Sequence, residues 1–197
     1  MLRENLKNFN IILASGSPRR QQFLKELDLD FEIRLKEVDE VYPDHLQAQE
    51  ITDYLAQLKA EAFDGTLQPN DILITSDTIV WHKNKMLGKP KDYADAVRIL
   101  QALSDSTHQV YTSVCFKTTS KTTLLNEKTE VTFAPLPDAA IHYYLEKYKP
   151  FDKAGAYGIQ DWLGLTGITR VEGSYTNVVG LPTEKVYAFL RTLAEEN

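Results

Sequence analysis

Serine, glycine and arginine meet at one turn of the sequence, Ser15-Gly16-Ser17-Pro18-Arg19-Arg20, directly after the apolar run Ile11-Ile12-Leu13-Ala14. Pro18 stands where a first helical residue does, and Ser17 where an N-cap does. A helix start presents N–H groups and a partial positive charge. Two hydroxyls, a glycine that lets the backbone come close and two guanidiniums are added to it. That is the composition of an anion site, and phosphate is the anion it suits. The same residues also make an ordinary capped helix with two solvated arginines. The Walker pattern Gly-x-x-x-x-Gly-Lys-Ser/Thr occurs nowhere in the chain, which sets a P-loop ATPase aside.

A carboxylate is the second candidate. Asp77 sits within the apolar strand pattern Ile72-Leu73-Ile74-Thr75-Ser76-Asp77-Thr78-Ile79-Val80. An ionised carboxylate buried there is costly unless it meets a cation, donors or a metal. A divalent ion holding a phosphate-bearing substrate would be such a partner, and a bulge or strand edge with a solvated Asp77 is the alternative. Lys59 falls at the border of a helical apolar stripe, where it either points to a site or snorkels. Lys89 stands between Gly88 and Pro90, whose ring fixes the local backbone and so aims the lysine. Asp39 and Glu40 could add oxygen ligands, or form a solvated acidic loop. The four histidines show no metal-ligand spacing, and Cys115 reads as core.

These residues need elements to hold them. Ile11–Ala14 reads as a buried strand, Pro18 opens a helix with Phe23, Leu24 and Leu27 on its apolar face, and Phe31–Leu35 alternates as a strand. A helix over residues 48–63 carries Ile51, Leu55, Leu58 and Ala62 on one face, with Gly65 past its end. Ile72–Trp81 is a strand, Lys83–Lys85 a turn, and Asp92 caps a helix ending near Leu103. Val110–Phe116 and a return strand through Glu130–Phe133 flank a hairpin turn at Ser120-Lys121. Pro137-Asp138 opens a further helix with Ile141, Tyr144, Leu145 and Tyr148 at helical spacing. Gly155–Gly167, with four glycines, reads as a functional loop rather than an element. A strand at Ile168–Val171 and a helix at Pro182–Leu193 close the chain. Strands mixed with helices predict an α/β (α+β) fold on a mixed sheet flanked by helices. The chain is expected to be one domain, 1–197, with any second lobe inserted at about 92–148.

Composition narrows the function classes. The 197 residues are 43% hydrophobic and 25% charged, which excludes disordered, collagen-like and coiled-coil proteins. The net charge of −6 gives no field to draw in nucleic acid or an anionic membrane. A single cysteine allows no internal disulfide and no cysteine-based zinc cluster. The first apolar run is too short for a signal peptide or a membrane span, so a cytoplasmic protein is expected.

Taken in order, these pieces resemble the Maf family of nucleoside triphosphate pyrophosphatases. The segments that carry the resemblance are Leu13–Arg20, Glu37–Glu40, Leu55–Ala60, Ser76–Val80, Gly88–Pro90, Leu103-Ser104 with His108–Val110, Asp152–Gln160 and Asn177–Pro182. The resemblance implies an elongated, twisted sheet with two lobes and a central cleft. It also implies a divalent cation such as Mg²⁺ or Mn²⁺, and hydrolysis of a nucleoside triphosphate to the monophosphate and pyrophosphate. Arg19, Thr78 and Gln160 match the dTTP/UTP branch, while another branch prefers methylated guanine nucleotides. Asp105 and Asp161 stand where the family usually has glycine.

On this reading Arg19, Arg20, Lys59 and Lys89 neutralise the triphosphate and the Ser15/Ser17 turn cradles a phosphate. Asp77 is the general base, a metal ligand or both, with Asp39 and Glu40 as further metal ligands. The Gln160 amide offers an acceptor and a donor side by side, the complement of the N3–H and carbonyl of uracil or thymine. The other functions weighed are a nucleotide-binding regulator of cell division without turnover, and a pyrophosphatase for non-canonical purine or methylated nucleotides. The partner expected is the nucleoside triphosphate substrate, with a homodimer as the ordinary assembly and neither nucleic acid nor membrane.

Overall fold

The computed structural model describes residues 2–195; Met1, Glu196 and Asn197, at the ends of the expected domain, lie outside them. The chain runs α1 (Leu2–Asn5), β1 (Asn10–Leu13), α2 (Pro18–Glu26), β2 (Glu32–Ile33), α3 (Gln49–Glu61), β3 (Asp71–His82), β4 (Lys85–Leu87) and α4 (Tyr93–Leu103). It continues with β5 (Thr107–Lys117), β6 (Thr122–Phe133), α5 (Asp138–Tyr148), a 3₁₀ turn (Ala154–Ala156), α6 (Trp162–Gly167), β7 (Ile168–Glu172), α7 (Tyr175–Val179) and α8 (Thr183–Glu195). The strands form a seven-stranded sheet in the order β2-β1-β3-β5-β6-β7, with β4 on β3. β1 runs parallel to β2 and β3, whereas β4 and β7 run antiparallel to β3 and β6. The expected mixed sheet with flanking helices is therefore the fold. Among the described residues no helix is long and apolar enough to cross a membrane.

Two compact units divide the chain. The first contains residues up to Asp77, Thr112–Glu127 and the chain from Gly180 onward. Its strands alternate strictly. Ile11, Leu13, Ile72, Ile74, Val114 and Phe116 join one cluster with Leu24 of α2 and Val186 and Leu190 of α8. Ile12, Leu73 and Cys115 join another with Ala56 and Ala60 of α3 and Phe63. Both faces of these strands are covered, which is why the sequence there is continuously apolar rather than alternating. The buried face of α3 is Ile51, Thr52, Leu55, Ala56 and Ala60. The expected stripe through Leu58 and Ala62 is thus rotated, because small side chains let the helix lie close on the sheet. The second strand is shorter than the alternation over Phe31–Leu35 predicts, with only Glu32–Ile33 paired.

The second unit comprises Thr78–Tyr111 and Lys128–Val179. Its core joins Val80, Ile99, Leu100 and Leu103 to Ile141, Tyr144 and Leu145, with Ala156, Tyr157, Ile159 and Leu163. Asp92 caps α4 as expected, accepting the Asp95 N–H at 2.8 Å. Gly155–Gly167 is not the open loop the glycines suggest, since it holds the 3₁₀ turn and α6. Gly164 is there for close approach: a Cβ would stand 2.1 Å from the Ile159 carbonyl oxygen. Asp105 lies at φ +51°, left-handed backbone where glycine is at ease, so the glycine that the resemblance implies there would sit without strain.

His108 gives the second unit an acid-sensitive core. The residue is 1% exposed, its Nε2 lies 2.7 Å from Tyr157 Oη, and its ring stacks on Phe133. Burial, and then the charge of His82, push its pKa from 6.5 down to about 3. The folded protein therefore binds this proton more weakly than the unfolded chain. The stability is whole above pH 6.5 and is lost as pH falls from there toward 3. Between pH 7 and 4.5 the urea denaturation free energy is expected to drop by about 2–3 kcal/mol from this residue. His108→Gln should flatten that slope, and an unchanged slope would contradict this assignment.

Candidate active site

In the first unit β1 delivers the chain to the Ser15–Arg20 turn. The Ala14 N–H donates to the Ile74 carbonyl at 2.9 Å, so the turn begins in register with β3. Ser15 is buried, and its Oγ accepts the Ser17 N–H at 3.2 Å. Ser17 occupies the N-cap position of α2 without a side-chain capping bond. Arg20, in the first turn of α2, reaches inward. Its Nε donates to the Gly180 carbonyl at 2.8 Å, and its Nη1 donates to the Ser76 carbonyl at 2.9 Å and to Ser15 Oγ at 3.4 Å. Burial lowers its pKa below that of an ordinary arginine, the negative charge of Asp77 opposes that shift, and Arg19 adds to it.

Arg20 thereby ties the turn to the residue that precedes Asp77. Asp77 is 8% exposed at the point where β3 turns polar. Its Oδ1 lies 2.7 Å from Lys59 Nζ, and Lys59 Nζ lies 3.0 Å from Glu40 Oε1. One ammonium from the last turn of α3 thus bridges the strand carboxylate and a loop carboxylate. Sequence spacing gave no sign of this bridge, because its members come from three separate segments. Asp39 is exposed in the same loop as Glu40, its carbonyl taking the Val41 N–H at 2.8 Å.

Among the described residues no three His, Cys, Asp or Glu side chains cluster to hold a metal ion. The Asp77 and Glu40 carboxylates, sharing one cation, nevertheless fit a hard divalent ion. Mg²⁺ takes one or two protein carboxylates and completes its shell with water and phosphate oxygens.

The remaining sequence candidates belong to the second unit. Thr78 continues β3 directly after Asp77 and is half-buried. Lys89 is exposed beside a buried Pro90, and the neighbouring Gly88 carbonyl accepts the Gly155 N–H at 3.1 Å. Gln160 is exposed at the end of a buried run, Gly155–Ile159. Tyr144, read from the sequence as core alone, donates its hydroxyl to Asp161 Oδ2 at 2.8 Å and accepts the Gly158 N–H at 3.0 Å. Its helical spacing signalled burial and not this polar role.

A mixed α/β sheet carrying a serine-arginine helix start beside a cation-bridged carboxylate defines the class. The Maf-like protein family model matches residues 10–193, and the chain belongs to that family. A dTTP/UTP pyrophosphatase of Flavobacterium psychrophilum is 66% identical over 190 residues, covering 96% of this chain and 97% of that protein. Proteins of the same name from Flavobacterium johnsoniae and Christiangramia forsetii are 64% and 53% identical, covering 98% of this chain and 100% and 98% of theirs.

Proposed function

We propose that this protein hydrolyses dTTP and UTP to the nucleoside monophosphate and pyrophosphate in the cytoplasm. The Lys59-bridged pair of Asp77 and Glu40, tied through Arg20 to the Ser15–Arg20 turn, is the observation that carries this reading. The three relatives of the same printed name support the substrate class.

In the reaction water adds to a phosphorus of the α–β anhydride, the bridging P–O bond breaks, and pyrophosphate leaves. Asp77 accepts the proton of the attacking water. Lys59, Arg19 and Lys89 bind phosphate oxygens, and Arg20 adds fixed positive charge beneath the turn. Ser15 and Ser17 hold a phosphate at the helix start. A Cβ at Gly16 would meet only Leu35 Cδ1, at 3.9 Å, so protein packing does not call for glycine there and approach of a phosphate does. A divalent cation held by Asp77 and Glu40, with Asp39 within the same loop, would neutralise phosphate charge and acidify bound water. Stabilising charge by positioned groups supplies most of the rate in such transfers.

Arg19, Thr78 and Gln160 set the base. Cytosine lacks the N3–H that a Gln160 acceptor needs, and a polar group left mispaired once a bound base covers it costs about 1–3 kcal/mol. A panel of triphosphates, assayed for pyrophosphate with Mg²⁺ or Mn²⁺, is therefore expected to show kcat/KM for dTTP and UTP about 10- to 100-fold above CTP. GTP turned over faster than dTTP would overturn the pocket assignment, and tight binding without pyrophosphate release would favour a nucleotide-responsive regulator.

A further inference from the structure

Gln160 is bracketed by two residues that share one partner. On its N-terminal side the Gly158 N–H donates to Tyr144 Oη at 3.0 Å. On its C-terminal side Asp161 Oδ2 accepts from the same hydroxyl at 2.8 Å, with Lys153 Nζ at 3.8 Å. Tyr144 itself is fully buried in α5. The closure is tight, since a Cβ on Gly158 would stand 2.6 Å from Asp161 Oδ2. Ile159 between them is 5% exposed. The Gly158 backbone before Gln160 and the Asp161 side chain after it are therefore fixed to one buried hydroxyl, and the Asp161 N–H also donates to the Gly158 carbonyl at 3.0 Å.

We propose that Asp161 is a positioning residue for base selection: through Tyr144 it locks segment 158–161 and so holds Gln160 in one place. The inference rests on the reading of Gln160 as the residue that meets the base. Asp161 touches neither base nor phosphate in this role. Its charge is spent on Tyr144 and Lys153, so it sharpens discrimination instead of repelling the substrate. A side chain held in place discriminates between bases better than one that adapts, because a wrong partner then leaves a polar group unpaired.

The test is the ratio of kcat/KM for UTP over CTP in the full-length protein. Asp161→Gly is expected to lower the ratio by about threefold to tenfold, chiefly through KM, while kcat with UTP changes much less. Asp161→Asn keeps an oxygen acceptor for Tyr144 Oη and should restore most of the ratio. Exchange of the Gly158 amide with solvent should quicken in Asp161→Gly and not in Asp161→Asn. Tyr144→Phe, which keeps the ring and removes the bridging hydroxyl, should reproduce the loss and serves if Asp161→Gly does not fold. Gln160→Ala separates the two ideas. If Gln160→Ala abolishes discrimination while Asp161→Gly and Tyr144→Phe leave it intact, the positioning role is overturned and the base-reading role stands. If Gln160→Ala leaves the ratio unchanged, the base-reading role falls and the positioning role with it.

Discussion

Asp77→Asn is expected to reduce dTTP turnover by about 10²–10⁴-fold, the usual cost of removing a general base. The substitution keeps the size and one acceptor oxygen of the side chain, so Lys59 can still be met at the same place. What is lost is the negative charge that accepts a proton and attracts a divalent ion. The fold keeps its other supports: Lys59 retains Glu40, at 3.0 Å, and the β3 backbone is held by β1 and β4. The thermal midpoint should therefore stay close to that of the unsubstituted protein, and nucleotide binding should weaken far less than turnover. Steady-state pyrophosphate release, read beside a melting curve, checks both halves. A kcat near the unsubstituted value would remove Asp77 from the reaction.

Arg20→Leu is expected to strike stability first. The guanidinium satisfies the Gly180 and Ser76 carbonyls at 2.8 and 2.9 Å, and both lose their donor in the variant. Each buried acceptor left unpaired costs about 1–3 kcal/mol, so the two together predict a loss of about 2–6 kcal/mol in urea denaturation. Asp77 also loses a nearby positive charge, so activity should fall in the fraction that remains folded. Arg20→Lys keeps the charge but not the planar fork that reaches two carbonyls at once, and should recover only part of the stability. A denaturation midpoint unchanged in Arg20→Leu would show that the clamp is not structural.

Much of the fold was legible because its physics is local. Ile11–Leu13 and Ile72–Ile74 are apolar without interruption since helices cover both faces of their strands. Asp92 announced α4 because a cap acts on the residue three positions on. What stayed illegible depends on tertiary packing. Thr52, Ala56 and Ala60 join Ile51 and Leu55 on the buried side of α3, where hydropathy alone pointed to Leu58 and Ala62. Gly164 read as part of a functional loop and stands where a Cβ would strike the Ile159 carbonyl. In the candidate site the residue types of Asp77, Lys59 and Glu40 were readable, but a bridge built from a strand, a helix and a loop leaves no spacing rule in the chain. Nothing in the chain pairs Asp161 with the Tyr144 hydroxyl, because helix and loop meet only in the packed unit.

The claim that this chain cuts a pyrimidine triphosphate at the α–β anhydride is tested most directly by its products. Phosphorus NMR of dTTP incubated with the protein and Mg²⁺ or Mn²⁺ should show dTMP and pyrophosphate rising in equal amounts, with no dTDP formed. Appearance of dTDP and orthophosphate, or an unchanged triphosphate signal in the presence of folded protein and metal, would contradict it.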